Sequence, residues 1–111
     1  MTETYGEPVF VRNEYVDFWN EVLVPKFVRY RHILVGGLTH HSARIMPTLP
    51  VKEGDKVVDV GCGFGDTAIE LARRVGPTGH VLGIDCGEEF VELACKEAAE
   101  SGVDNLRFVT A

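Results

Sequence analysis

The stretch Val57-Val58-Asp59-Val60-Gly61-Cys62-Gly63-Phe64-Gly65-Asp66-Thr67 decides how the rest of the chain is read. A β-branched apolar run ends in three alternating glycines, and helix-forming residues follow at once. That order predicts a strand, a tight glycine loop and a helix N-terminus, a place where backbone can lie against part of a small molecule. Upstream, Val51–Asp55 reads as a turn, and Lys56–Val60 as an apolar strand of the kind buried on both faces. Downstream, a helix is expected from Thr67 to Val75, with Ala68, Leu71, Ala72 and Val75 on one stripe and Gly76-Pro77 as its stop.

The same alternation then repeats. His80–Ile84 reads as a second strand closing on Asp85. A second helix runs from about Glu88 to Ser101, with Val91, Ala94, Cys95 and Ala98 as its buried stripe. Gly102 stops it, and Leu106–Val109 forms a third strand. Residues 51–111 are therefore β-α-β-α-β. The fold class is α/β, and right-handed crossovers make it half of a Rossmann-like, doubly wound parallel sheet. Ligands of such sheets sit beyond the carboxyl ends of the strands, where the glycine loop and Asp85 both fall.

Residues 1–50 are expected to form a helical cap. Residues 1–13 lack periodicity and read as an arm. Tyr15, Phe18, Trp19 and Val22 recur at helical spacing. A second helix is expected from Pro25 to about Leu34, stopped by Gly36-Gly37, and a third from Thr39 to Leu49, with Met46-Pro47 weakening its end. The aromatic set Tyr5, Phe10, Tyr15, Phe18, Trp19 and Tyr30 is read as packing on the sheet rather than as a lid over an apolar acceptor.

Composition narrows the function classes. With 45% hydrophobic and 25% charged residues, the chain has the make-up of a folded soluble protein. No apolar window of about 18 residues is present, so no membrane contact is expected. The acidic, polar start Met1–Glu7 does not resemble a secretory signal, and the cytoplasm is the expected location. Cys62, Cys86 and Cys95 lack metal spacing, and the adjacent His40-His41 would point apart on a helix, so no metal is expected. Net charge is −6, yet the segment from Val22 to Lys52 carries +5 and no acid, which leaves −11 to the rest. A solvated basic face explains this better than a nucleic-acid surface.

The loop spacing Gly61-x-Gly63-x-Gly65 departs from the G-x-G-x-x-G of dinucleotide sites, because Asp66 stands where the third small residue belongs. An aspartate there competes with a pyrophosphate for the helix N–H groups and repels it. Asp59, Asp66 and Asp85 make an acidic mouth suited to a ligand with positive charge and a ribose. Asp85, 20 residues beyond Gly65, can accept from both ribose hydroxyls.

Asp59-Val-Gly61-Cys-Gly63-Phe-Gly65 with Gly83-Ile84-Asp85, led in by Leu49–Val57, resembles the class I S-adenosylmethionine-dependent methyltransferases, in particular small-molecule members similar to the ubiquinone/menaquinone methyltransferases. The resemblance covers residues 49–111. It implies S-adenosylmethionine as cofactor and a cofactor-binding set of Asp59, Gly61, Cys62, Gly63, Gly65, Asp85 and Cys86. Gly61 and Gly63 would meet its methionine part, Asp59 its amino end, Asp85 the ribose and Cys86 the adenine. Phe64 is expected to pack within the loop. No catalytic base is named; His32, His40 and His41 are read as surface histidines.

The resemblance also implies a seven-stranded sheet, of which this chain supplies three strands. The expectation is an N-terminal part of a longer enzyme acting on a small-molecule acceptor. Its strand Lys56–Val60 would be an open edge able to pair with another copy. Alternatives are a non-catalytic methyltransferase-like association module and, less favoured, a nucleic-acid methyltransferase. A nicotinamide oxidoreductase is the least favoured.

Overall fold

The computed structural model describes residues 13–111. Tyr5 and Phe10, counted above among the aromatic set, lie outside the described residues. Asn13 opens α1 (Glu14–Phe18): its side-chain oxygen accepts from the Val16 N–H at 3.0 Å, satisfying one of the donors a helix start leaves over. The chain winds on through a π-helical turn (Trp19–Leu23) into α2 (Val24–Arg29), with Pro25 in its first turn. Tyr30, at φ −105° and ψ 21°, breaks the helix, and α3 (Arg31–Ile45) follows.

Here the expected boundaries need correction. Gly36-Gly37 do not stop a helix; α3 runs through both. Thr39 does not cap one, because its hydroxyl donates back to the Val35 carbonyl one turn earlier. Hydrogen bonds from the preceding turn outweigh the low propensity of two glycines. Pro47 falls in a 3-10 turn (Met46–Thr48), where its missing N–H costs no α-helical bond. Arg74 fastens this turn to the rest of the molecule, its guanidinium donating to the carbonyls of Met46 and Leu49.

The second half follows the expected order: β1 (Lys56–Val60), α4 (Asp66–Val75), β2 (His80–Asp85), α5 (Glu88–Glu100) and β3 (Leu106–Thr110). The strands form one parallel sheet in the order β1-β2-β3, with Val57 opposite Val81 and Val81 opposite Leu106. Because the order advances in one direction, right-handed crossovers place α4 and α5 on the same face. Val57, Val81, Leu106 and Phe108 point to that face and join Ala68, Leu71, Ala72, Val75, Ala94 and Ala98 in the main core. The Asn105 side chain closes the C-terminal end of α4, donating to the Ala72 and Gly76 carbonyls at 2.8 and 2.7 Å.

Two expectations about burial are overturned. β1 is not covered on both faces: Val58 is 57% and Val60 79% exposed. Both lie on the face opposite the helices, and among the described residues β1 has a strand neighbour on one side alone. In α5 the buried stripe is Phe90, Val91, Ala94 and Ala98, whereas Cys95 is exposed. Residues 90, 94 and 98 keep a strict four-residue row, and Phe90 supplies the largest apolar surface on it.

Candidate functional site

β1 delivers the chain into the glycine loop beside the carboxyl end of β2. The N–H groups of Gly61 and Cys62 both donate to the Ile84 carbonyl, at 2.7 and 3.0 Å. Gly61, Gly63 and Gly65 all have positive φ (74°, 52° and 84°), the region that excludes most side chains. The three glycines then divide by what surrounds them. A Cβ on Gly61 or Gly63 would meet nothing within 4 Å, so their backbones border open space. A Cβ on Gly65 would lie 2.8 Å from Phe108 Cζ and 3.0 Å from Ala94 Cβ. Gly61 and Gly63 thus form a bare wall of the site, while Gly65 lets α4 start close over the core.

Asp85 ties two loops together. One carboxylate oxygen accepts from the Gly63 N–H at 2.9 Å and the other from the Gly87 N–H at 2.8 Å. Each oxygen keeps acceptor capacity beyond those bonds. Asp59 is half-buried, and its Oδ2 is shielded from solvent without a hydrogen-bond partner. Burial, seconded by the nearby charge of Asp85, holds its carboxyl above the ordinary 3.8. Burial likewise pushes the Cys62 thiol up to about 12, with Asp85 and Asp59 adding to the effect. Cys86 is shifted the same way, by burial and then Asp85. All three cysteines are free thiols.

Cys62, Asp85 and Cys86 border one cavity of ≈ 880 Å³ between the carboxyl ends of β1 and β2 and the helical cap, whereas Asp59 and Gly65 are not among its lining residues. Gly61, Cys62, Gly63, Asp66, Asp85 and Cys86 line it from the sheet side. Tyr15, Trp19, Phe27, Leu34, Val35 and Leu38 line it from the cap. Of the described members of the expected aromatic set, Tyr15 and Trp19 line this cavity, and Tyr15, Phe18 and Tyr30 are exposed rather than packed on the sheet. Trp19, Phe27, Phe90 and Phe64 form a chain of ring contacts, with centroids 5.6, 5.9 and 4.9 Å apart, that fastens the cap to the glycine loop and α5. Phe64 packs as expected, buried at the loop tip.

Sequence reasoning missed two residues. Arg31 was read as part of a solvated basic face, yet it turns inward over the Phe64 ring at 4.4 Å and pairs with Glu97 at 2.5 Å. Its guanidinium also lies 3.8 Å from Asp66 at the cavity wall. The acid-free composition of its neighbourhood concealed this, because its partners sit in α4 and α5. Asn20 is the second: its side-chain amide bonds the backbone of residues 86 and 88. No signal local to Asn20 could have revealed those partners. His32, His40 and His41 are exposed, as expected of surface histidines, and none lines the cavity. Among the described residues no group of three or more His, Cys, Asp or Glu is placed to hold a metal, and no helix is long and apolar enough to cross a membrane.

The glycine loop and the strand-end Asp85 lie at the carboxyl ends of parallel strands, where ligands of such sheets bind. Comparison with known proteins specifies the site further. A family model for a methyltransferase domain matches residues 51–111, more than half of the chain, and the chain belongs to that family. It is 41% identical over 66 residues to a demethylmenaquinone methyltransferase of Staphylococcus aureus; the match takes in 60% of this chain and 27% of that protein. The chain thus corresponds to about a quarter of the length of the curated relatives it matches.

Among solved structures, an S-adenosylmethionine-dependent O-methyltransferase of Thermotoga maritima aligns with a TM-score of 0.60 and 34% identity, over 65% of this chain and 28% of that one. A S-adenosylmethionine-dependent methyltransferase of Aquifex aeolicus aligns at 0.58 and 32%, over 62% and 37% respectively. The cofactor these relationships indicate is S-adenosylmethionine.

Proposed function

We propose that this chain supplies the cofactor-binding half of an enzyme that transfers a methyl group from S-adenosylmethionine to a small-molecule acceptor. In this reading residues 51–111 hold the cofactor and residues 1–50 cap it. The carrying observation is Asp85, whose carboxylate accepts from the Gly63 and Gly87 N–H groups and lines the same cavity as the bare backbone of Gly61 and Gly63. The acids on the cavity lining, Asp66, Glu70 and Asp85, suit a cationic ammonium and disfavour a pyrophosphate, and the buried, unpartnered Oδ2 of Asp59 adds negative charge at the end of β1. The residues fit the cofactor at its other end as well. Asp85 retains acceptor capacity for ribose hydroxyls, and Cys86 borders the same cavity for the adenine.

When bound, S-adenosylmethionine supplies an electrophilic methyl group on a sulfonium. The chain's own residues hold and shield. Gly61 and Gly63 admit a ligand to backbone contact, and Gly65 keeps the loop seated on the core. Cys62, its thiol pushed up to about 12, stays protonated at neutral pH and does not offer a competing thiolate nucleophile inside the site. The cap residues Trp19, Phe27, Leu34 and Leu38 give an apolar wall that suits an apolar acceptor and excludes water. Methyl transfer then depends on holding donor and acceptor in line. The cytoplasm is the proposed location.

Isothermal titration with S-adenosylmethionine tests the reading. One site is expected, weakened at least tenfold in Asp85→Ala and unchanged in Cys95→Ala. Binding of a nicotinamide dinucleotide in place of S-adenosylmethionine would overturn it.

A second proposal concerns partners. The exposed Val58 and Val60 on an edge strand favour pairing of two copies through β1.

A further inference from the structure

Asn20 sits inside the π-helical turn Trp19–Leu23, where the α-helical register is widened by a residue. Such turns recur at functional sites because they redirect a side chain. Here the redirected side chain makes three bonds at once. Its amide N–H groups donate to the Val16 carbonyl at 3.0 Å and to the Cys86 carbonyl at 2.9 Å. Its oxygen accepts from the Glu88 N–H at 2.8 Å. The pattern admits one amide orientation, since the reverse would set oxygen against two carbonyls.

The segment it grips needs such a partner. α5 begins at Glu88, and its N-cap residue Gly87 has no side chain to receive the first N–H groups. Asp85 supplies one acceptor to this segment, to the Gly87 N–H, and Asn20 supplies the next from the cap. The cap also presses on the same turn: a Cβ at Gly87 would meet Val24 Cγ2 at 2.9 Å and Phe90 Cδ2 at 2.8 Å. Val24, Phe64 and Phe90 form a buried cluster of their own.

We infer that Asn20 is a positioning residue for the adenosine half of the cofactor site, setting the Cys86–Glu88 turn and so coupling the seating of the cap to cofactor affinity. The inference rests on the S-adenosylmethionine reading given above. It assigns the cap a role in cofactor binding as well as in covering an acceptor. Coupling of this kind is reciprocal: a seated cap favours the cofactor, and the cofactor favours a seated cap.

The test uses S-adenosylhomocysteine, the stable product, with the full chain and two variants approaching the contact from opposite sides. Asn20→Ala removes the clamp. Glu88→Pro removes the N–H it receives, at a first helical position where proline is well tolerated. Both are expected to bind S-adenosylhomocysteine about fivefold more weakly, the fold-change that a lost helix cap amounts to when cofactor binding has to restore the turn. Amide exchange at residues 86–88 should speed up in Asn20→Ala. S-adenosylhomocysteine should slow tryptic cleavage between Lys26 and Arg44 in the wild type and protect less in either variant.

A purely structural Asn20 would lower thermal stability and leave affinity unmoved; affinities within twofold of wild type in the folded variants overturn the inference. Should Asn20→Ala fail to fold, Glu88→Pro alone decides it on the same criterion. A wild type that takes up no S-adenosylhomocysteine overturns the cofactor reading itself, an outcome distinct from a binding wild type with unchanged variants.

Discussion

Asp59 shows how the burial of a single carboxyl opposes the fold. Its carboxyl is raised above 3.8 by burial first and Asp85 second, so the folded state holds this proton more tightly than the unfolded chain does. The unfolded state then binds fewer protons, and stability falls as pH rises from 3.8 through the raised folded value. Above that value the cost is present in full. Asp59→Asn is therefore expected to be more stable than wild type at pH 7 and no more stable below pH 3.8, measured by urea unfolding at both. The same variant should bind S-adenosylmethionine much more weakly. A second contrast separates the loop glycines. Gly65→Ala combines a φ of 84° with a 2.8 Å approach to Phe108 and should lose about 1–3 kcal/mol of stability. Gly61→Ala, bordering open space, should lose less stability and show its main effect in cofactor binding.

Among the elements, α3 carries the clearest departure from what was legible in the sequence. The β-α-β-α-β order could be read because each break carried its own local signal: Gly61–Gly65, Gly76-Pro77 and Gly102 all punctuate clear apolar periods. Gly36-Gly37 carried the same signal and meant something else. Glycine lowers helix propensity without forbidding a helix, and neighbouring turns held α3 together. A prediction follows from their geometry. Neither has positive φ, and a Cβ on either would meet nothing within 4 Å. Gly36→Ala and Gly37→Ala should each raise stability by ~0.5–1 kcal/mol, seen as a higher urea midpoint with an unchanged slope. A helix stop at these positions would give the opposite sign. The residues that line or support the candidate cavity divide in the same way. Gly61, Gly63 and Asp85 could be placed on its lining from the sequence because their spacing is local to a loop or set by a repeating unit. Asn20 and Arg31 could not be placed, because the partners that matter lie in the other half of the chain and are backbone groups, a ring or acids with no sequence mark.

At the scale of the whole molecule, both crossover helices lie on one face of the sheet, and the consequences gather on β1. Its sequence is that of a strand covered on both sides, yet Val58 and Val60 face outward at 57% and 79% exposure. Among the described residues, one edge of its backbone ladder has no strand beside it. Apolar side chains next to unpaired N–H and C=O groups make a template that another strand can complete, and parallel or antiparallel pairing of two β1 strands would satisfy both. The chain's net charge of −6 works against this association, more strongly at low salt than at high. Sedimentation velocity of the 111-residue chain is therefore expected to show a concentration-dependent dimer that strengthens with added salt. Val60→Lys, which sets a charge on the most exposed of the two valines, should shift the chain to monomer. Val60 also borders the cofactor cavity, whereas Val58 does not. Val58→Lys should thus abolish dimers while leaving S-adenosylmethionine affinity unchanged. Dimers that persist in both variants would place the contact elsewhere on the surface.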